Sequence, residues 1–186
     1  MMKYIRLTTL LLVVAFAAAA LTGPNPAAAA SAAEIDRDAQ KALENLYAKS
    51  PSAKAMGEKA IGILVFPGIV KGGFIVGGQY GEGALIKDAK TVAYYNTIAA
   101  SYGLQAGLQK FGYALFFMTD SALKWIDKSD GWEIGVGPSI VVVDTGAAAS
   151  LTSTTAQSDI YAFFFDQKGL MAGLGLQGTK ITRLEK

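Results

Sequence analysis

Between residues 34 and 49 the apolar side chains Ile35, Ala39, Ala42, Leu43, Leu46 and Tyr47 recur at helical spacing with charges between them. That pattern predicts an amphipathic helix ended by Ser50-Pro51, and a second short helix is predicted over 52–59. The period then becomes strand-like, over 61–66, 73–80, 83–87, 91–100, 104–118, 132–144, 160–166 and 173–182. One short helix interrupts this series: Thr119-Asp120-Ser121 offers caps, Leu123, Trp125 and Ile126 a buried face, and Ser129-Asp130-Gly131 a stop. Residues 113–118 and 140–143 are apolar or small on both faces, so those strands must be covered on both sides or lie in a closed, curved sheet. The expected fold is α+β: a strongly twisted or barrel-like, mainly antiparallel sheet with N-terminal amphipathic helices and one short inserted helix.

Residues 60–83 combine this strand pattern with an unusual glycine load. Pro67-Gly68 and Lys71-Gly72-Gly73 read as turns between short strands, and glycine inside a strand marks a bulge or a close backbone approach. A glycine-rich turn with a lysine beside it can also direct several N–H groups at one phosphate, which makes residues 66–73 the best anion-binding candidate in the chain. The competing reading is a plain hairpin turn with a solvated lysine.

The first 32 residues differ from the rest. Lys3 and Arg6 form a basic start, residues 7–21 an apolar stretch, and an alanine-rich segment follows Pro26, the pattern of a secretory signal peptide. Cleavage after Ala30 or after Ala32 fits equally, and leaves about 155 residues for a single domain over 33–186. The expected location is exported, periplasmic or secreted. With no cysteine there is no lipidated anchor and no disulfide. The chain has 17 Lys+Arg and 15 Asp+Glu; without Lys3 and Arg6 the basic count also falls to 15, so the processed chain is neutral and nucleic acid is not an expected partner.

Histidine is absent as well, which removes Ser-His-Asp and Cys-His nucleophilic machinery and Cys/His zinc sites. Glu82, Asp120, Glu133, Asp144 and Asp166 are the candidate carboxylates, each beside a turn or strand end where a solvated or capping role is ordinary. The run 173–178 matches G-x-G-x-x-G in form, but too little chain follows it to build a dinucleotide fold. Tyr94, Tyr95, Tyr102, Phe111, Tyr113, Phe116, Phe117, Phe163, Phe164 and Phe165 could build a core or line an apolar groove for acyl chains, and core is the safer assignment. An outer-membrane barrel is disfavoured by the soluble-looking first helix and the charged ending Arg183-Leu184-Glu185-Lys186. No enzyme activity, cofactor or metal is expected.

The run 59–67, then Lys71-Gly72-Gly73-Phe74, the block 77–83, Tyr94-Tyr95-Asn96, the blocks 101–107, 116–119, 129–135 and 168–173, and Gly178-Thr179-Lys180-Ile181-Thr182 resemble, in order, the SYLF-domain family. The resemblance implies binding without turnover: eukaryotic relatives bind membrane lipids, including phosphoinositides, and some bind actin, while exported bacterial members are described as lipid-binding. Actin is not an expected partner for an exported chain.

A phospholipid or membrane surface is therefore the expected partner, with an envelope protein as the alternative. Lipid binding needs cations for phosphate and an apolar surface for the interface. Lys54, Lys59, Lys71, Gly72 and Gly73 are the candidate headgroup contacts, and Lys41, Leu43, Leu46, Tyr47 and Lys49 the candidate membrane-facing helix. A helix docked on the sheet with solvated lysines accounts for the same amphipathic pattern.

Overall fold

The structure, a computed structural model, describes residues 30–128, 131–143, 158–169, 176 and 178–186, and within them not the side chains of 74–76, 101–106 and 169. The expected leader, Asp144, the alanine and threonine tract 147–156 and most of the 173–178 glycine run lie outside the described residues. Residues 31–186 form one compact unit.

Helix α1, Ala32–Lys49, starts two residues earlier than the periodicity predicts because Ser31 and Glu34 form a capping box. The Ser31 N–H donates to Glu34 Oε2 at 2.8 Å and the Glu34 N–H donates to Ser31 Oγ at 3.3 Å. Ser50 ends α1 and caps α2, Pro51–Gly57, by accepting from the Ala53 N–H, with Pro51 at the first helical position where no donor is lost. Ile35, Ala39, Ala42, Leu43 and Leu46 are buried, and α1 packs against the first strand.

The sheet is strongly curled and built on two very long strands. Strand β1, Gly62–Lys87, and strand β2, Lys90–Phe117, form one antiparallel hairpin. Its turn is Asp88-Ala89, whose φ values of 49° and 60° suit a tight two-residue connection. The short helix α3, Asp120–Leu123, follows, capped by Thr119 as expected. The described strands are completed by β3, Trp132–Glu133, β4, Ile140–Val143, β5, Ile160–Gly169, and β6, Lys180–Leu184. The far edge of β2 is shared: residues 94–98 pair with β6 and residues 109–117 with β5. β3 lies outside β6, and β4 runs parallel to β5. The α+β, mainly antiparallel expectation is met.

Three expectations are corrected. The segments 91–100 and 104–118, expected as two strands, are the single strand β2. Pro67-Gly68 and Lys71-Gly72-Gly73 are not turns between separate strands: β1 runs through both, with register shifts between Phe66 and Ile69 and between Gly73 and Ile75. The continuous partner β2 supplies a ladder on which those residues become bulges instead of chain reversals. The single strand expected over 132–144 is broken between β3 and β4, where Gly135 and Gly137 take φ values of 109° and 95°.

The hairpin folds over on itself. Thr97 and Tyr113, both on β2 and 16 residues apart, share a buried 2.8 Å hydroxyl hydrogen bond, whereas a straight strand would separate them by about 50 Å. Within β1 the second limb crosses the first in close contact. A Cβ on Gly83 would strike the Val65 carbonyl and come within 2.6 Å of the Phe66 ring, and one on Gly81 would come within 2.7 Å of Ile69 Cγ1. Glycine at these two positions lets the limbs touch. The space inside the curl holds Leu64, Phe66, Tyr95, Tyr113, Leu115 and Trp132, all buried.

Candidate functional site

The lysines proposed from sequence do not form one site. Lys54 and Lys59 are exposed at and just after α2, beside the start of β1. Lys71 lies nine positions into that strand, about 30 Å along an extended chain. It is half-buried, a ladder residue opposite Gln109, and Gly72 and Gly73 pair with Leu108 and Gly107. The backbone N–H cradle expected of a glycine turn is therefore absent at 71–73.

The proposed membrane-facing helix is also turned the other way. Leu43 and Leu46 are 9% and 2% exposed, packed inward with the rest of the α1 stripe. Tyr47 is half-buried, its ring 6.4 Å from that of Phe116, and burial, with a smaller effect from Glu58, pushes its phenol up to about 12. Only the polar side of α1 faces outward. Lys41 is exposed there, while Lys49 forms a 3.0 Å ion pair with Asp166. The described candidate carboxylates stay apart: Glu82 accepts from the Tyr80 hydroxyl and pairs with Lys186, Asp166 holds Lys49, Glu133 stands opposite Lys180 on β6, and Asp120 is exposed on α3.

The arrangement that does gather cations was missed by the sequence reading. Val70, Lys110 and Lys168 occupy one cross-strand row over β1, β2 and β5, and Leu108, opposite Gly72, lies in the next row of the same face. Lys110 and Lys168 are both exposed and stand directly opposite each other. Like charges at such a position repel, so the row is unfavourable until an anion neutralises it. No acidic residue occurs in the facing stretches 69–73 and 107–111, the acid nearest in sequence on β5, Asp166, is paired with Lys49 at 3.0 Å, and neither Lys110 nor Lys168 has an ion-pair partner among the described residues. Lys71 projects from the alternate face of the same ribbon, opposite Gln109, which is 2% exposed with its Oε1 unpaired. The available signal was local: in 104–118, expected as a strand, Leu108 and Lys110 alternate with Gln109 and Phe111.

A cleft of about 450 Å³ lies beside β4, lined by Ile134, Ile140, Val142, Leu176, Pro138 and Ser139 together with two glycines. Its polar groups are engaged already, since the Ser139 N–H and hydroxyl both donate to Asp159, at 3.0 and 2.9 Å. Those bonds, led by the one from the Ser139 backbone, hold the Asp159 carboxyl below its ordinary value.

Comparison with known families agrees with the earlier resemblance over the second half of the chain. The profile of the family described as Ysc84, Las17-binding protein actin regulator, matches residues 98–186, from the middle of β2 through β6. No curated protein matches the chain.

Proposed function

We propose that this chain, whose residues 98–186 match the Ysc84 (SYLF) profile of a family linked to lipid and actin binding in general, is a non-catalytic module that binds anionic phospholipid headgroups at a membrane surface. The observation that carries the reading is the exposed, directly opposed pair Lys110 and Lys168 without a neutralising acid. Phosphates would relieve their repulsion, and each lysine near an anionic surface contributes about 1 kcal/mol. The proposed attachment is peripheral; no helix among the described residues is long and apolar enough to cross a bilayer.

The proposed setting is the cell envelope after export, which makes actin an unsuitable partner. The capping role of Ser31 supports removal of the leader after Ala30, because removal after Ala32 would cut the cap away.

Flotation of the processed protein with anionic and neutral vesicles tests the reading. Co-flotation with anionic vesicles at low salt is expected, reduced about 30-fold in Lys110→Ala/Lys168→Ala, the equivalent of about 2 kcal/mol. Lys54→Ala/Lys59→Ala reports separately on the α2 end. Absence of co-flotation at low salt refutes the lipid reading. A second reading, a protein-docking domain, is favoured by β4, whose outer edge has no strand partner among the described residues and whose Val141 and Val142 are exposed beside the cleft.

A further inference from the structure

We infer that the folded ribbon meets the bilayer with Leu108 and Val70 inserted between headgroups, below a rim of Lys110 and Lys168; this rests on the lipid reading above and names the surface that makes contact. Leu108 is 69% exposed and Val70 47%. Single exposed apolar residues are common and carry no message. These two are diagonal neighbours on one face, a separation of about 7 Å, and they alternate along their strands with residues that point the other way.

Leu108 and Lys110 each lie against a glycine of β1. Leu108 Cδ1 lies 3.2 Å from where a Cβ of Gly72 would stand, so the leucine leans over bare backbone that a larger residue would occupy. The Lys110 stem lies over Gly68 in the same way, its Cε 3.4 Å from that glycine's Cβ position. The strands beneath are paired, 69–73 with 107–111 and 168–169 with 109–110, so the four side chains are presented on a paired scaffold instead of a loop.

Charge complementarity selects the occupant. A purely apolar protein groove would leave two opposed ammonium groups facing each other at its edge. An anionic bilayer supplies phosphates for the ammonium groups and, beside them on the same face, an apolar interface for Leu108 and Val70. The lysine stems are themselves apolar and can lie along the interface with their charges outward. Binding then has two separable parts: a cationic part that salt screens and an apolar part that salt leaves in place.

The test uses vesicles of phosphatidylglycerol and phosphatidylcholine, with and without bromine on the acyl chains. Wild-type protein, Leu108→Asn, Leu108→Asn/Val70→Asn, Lys110→Ala/Lys168→Ala and Leu108→Trp are compared at low salt and at about 1 M salt, where the Debye length is about 3 Å. All substituted side chains are exposed, and thermal melts confirm folding of each variant. The binding that survives high salt is expected to fall about tenfold in Leu108→Asn and further in the double asparagine variant. The lysine variant is expected to lose mainly the salt-sensitive part. Emission of the Leu108→Trp variant in excess of the wild-type signal from Trp125 and Trp132 is expected to be quenched by the brominated chains.

Unchanged high-salt binding in the asparagine variants, or an unquenched signal from Leu108→Trp, overturns insertion while the electrostatic reading stands. Failure of the wild-type protein to bind any vesicle overturns both.

Discussion

Adding one methyl group at Gly83 separates close limb packing from mere glycine flexibility as the reason for that residue. In Gly83→Ala the new Cβ meets the Val65 carbonyl and comes within 2.6 Å of the Phe66 ring, and both Val65 and Phe66 are completely buried. A backbone carbonyl in a paired strand cannot rotate aside, so the limbs of β1 must separate. Overpacking of this kind costs about 1–3 kcal/mol, and a clash with backbone belongs at the upper end. Gly78→Ala is the matched control: it is exposed, and its Cβ would stand 3.6 Å from the Ala99 carbonyl, an ordinary contact. Neither glycine has a left-handed φ, so alanine is free of backbone strain at both. Each variant also gains about 0.4–1 kcal/mol from a less flexible unfolded chain, which cancels in the comparison. The expected difference is about 3 kcal/mol. At about 2 kcal/mol per molar urea this separates the midpoints by about 1.5 M, and for a domain of this size it separates the melting temperatures by about 6–12 °C. Urea midpoints within about 0.3 M of each other would refute the close-packing account of the fold-over.

Two further predictions concern polar links. Tyr113→Phe leaves the fully buried Thr97 hydroxyl without its partner and is expected to cost about 1–3 kcal/mol, whereas Tyr113→Phe/Thr97→Val costs less than the sum of its parts by about 1 kcal/mol; strict additivity in a urea-denaturation cycle would show that the fold-over does not depend on this bond. Glu34 and Asp159 have carboxyls held below their ordinary values of 4.5 and 3.8, chiefly by the backbone N–H groups of Ser31 and Ser139; a depressed folded value contributes stability that is present above the unfolded value and lost as pH falls through the folded one, so Glu34→Gln/Asp159→Asn is expected to flatten the decline in stability between neutral pH and about pH 3, and an unchanged decline in urea midpoint would contradict that assignment.

The helices were legible because their signals are local. The apolar spacing of α1, the Ser50-Pro51 junction and the Thr119 cap each lie within a few residues of one another, and the structure retains all three. What α1 covers was less legible, since an apolar stripe is the same whether it meets a sheet or a lipid; Leu43 and Leu46 pack inward. The two-sided apolar character of 113–118 correctly required cover on both faces, which the curl and the helices supply; the same expectation fails for 140–143, an edge strand among the described residues on which Val141 and Val142 are exposed. The continuity of β1 was hidden because glycine and proline punctuate a strand and a turn alike, and only the partner strand decides which they do. Lys110 and Lys168 were invisible as a pair for a related reason: they become neighbours through the register of β2 on β5, which includes a shift between Lys110 and Gly112. That register is a property of the assembled sheet.

The two-residue turn at Asp88-Ala89 has a consequence for how errors spread. The pairing of β1 with β2 begins at this point with Lys87 opposite Lys90 and is re-set at three register shifts, between Leu85 and Ile86, Gly73 and Ile75, and Phe66 and Ile69, before it ends at Gly62 opposite Phe117. A slip of one residue there would turn the whole ribbon inside out, sending Tyr113 and Leu115 to the surface and Lys110 into the core. Any slipped alignment would also have to rebuild the three register shifts along the ribbon, so the bulges penalise errors that begin at the turn.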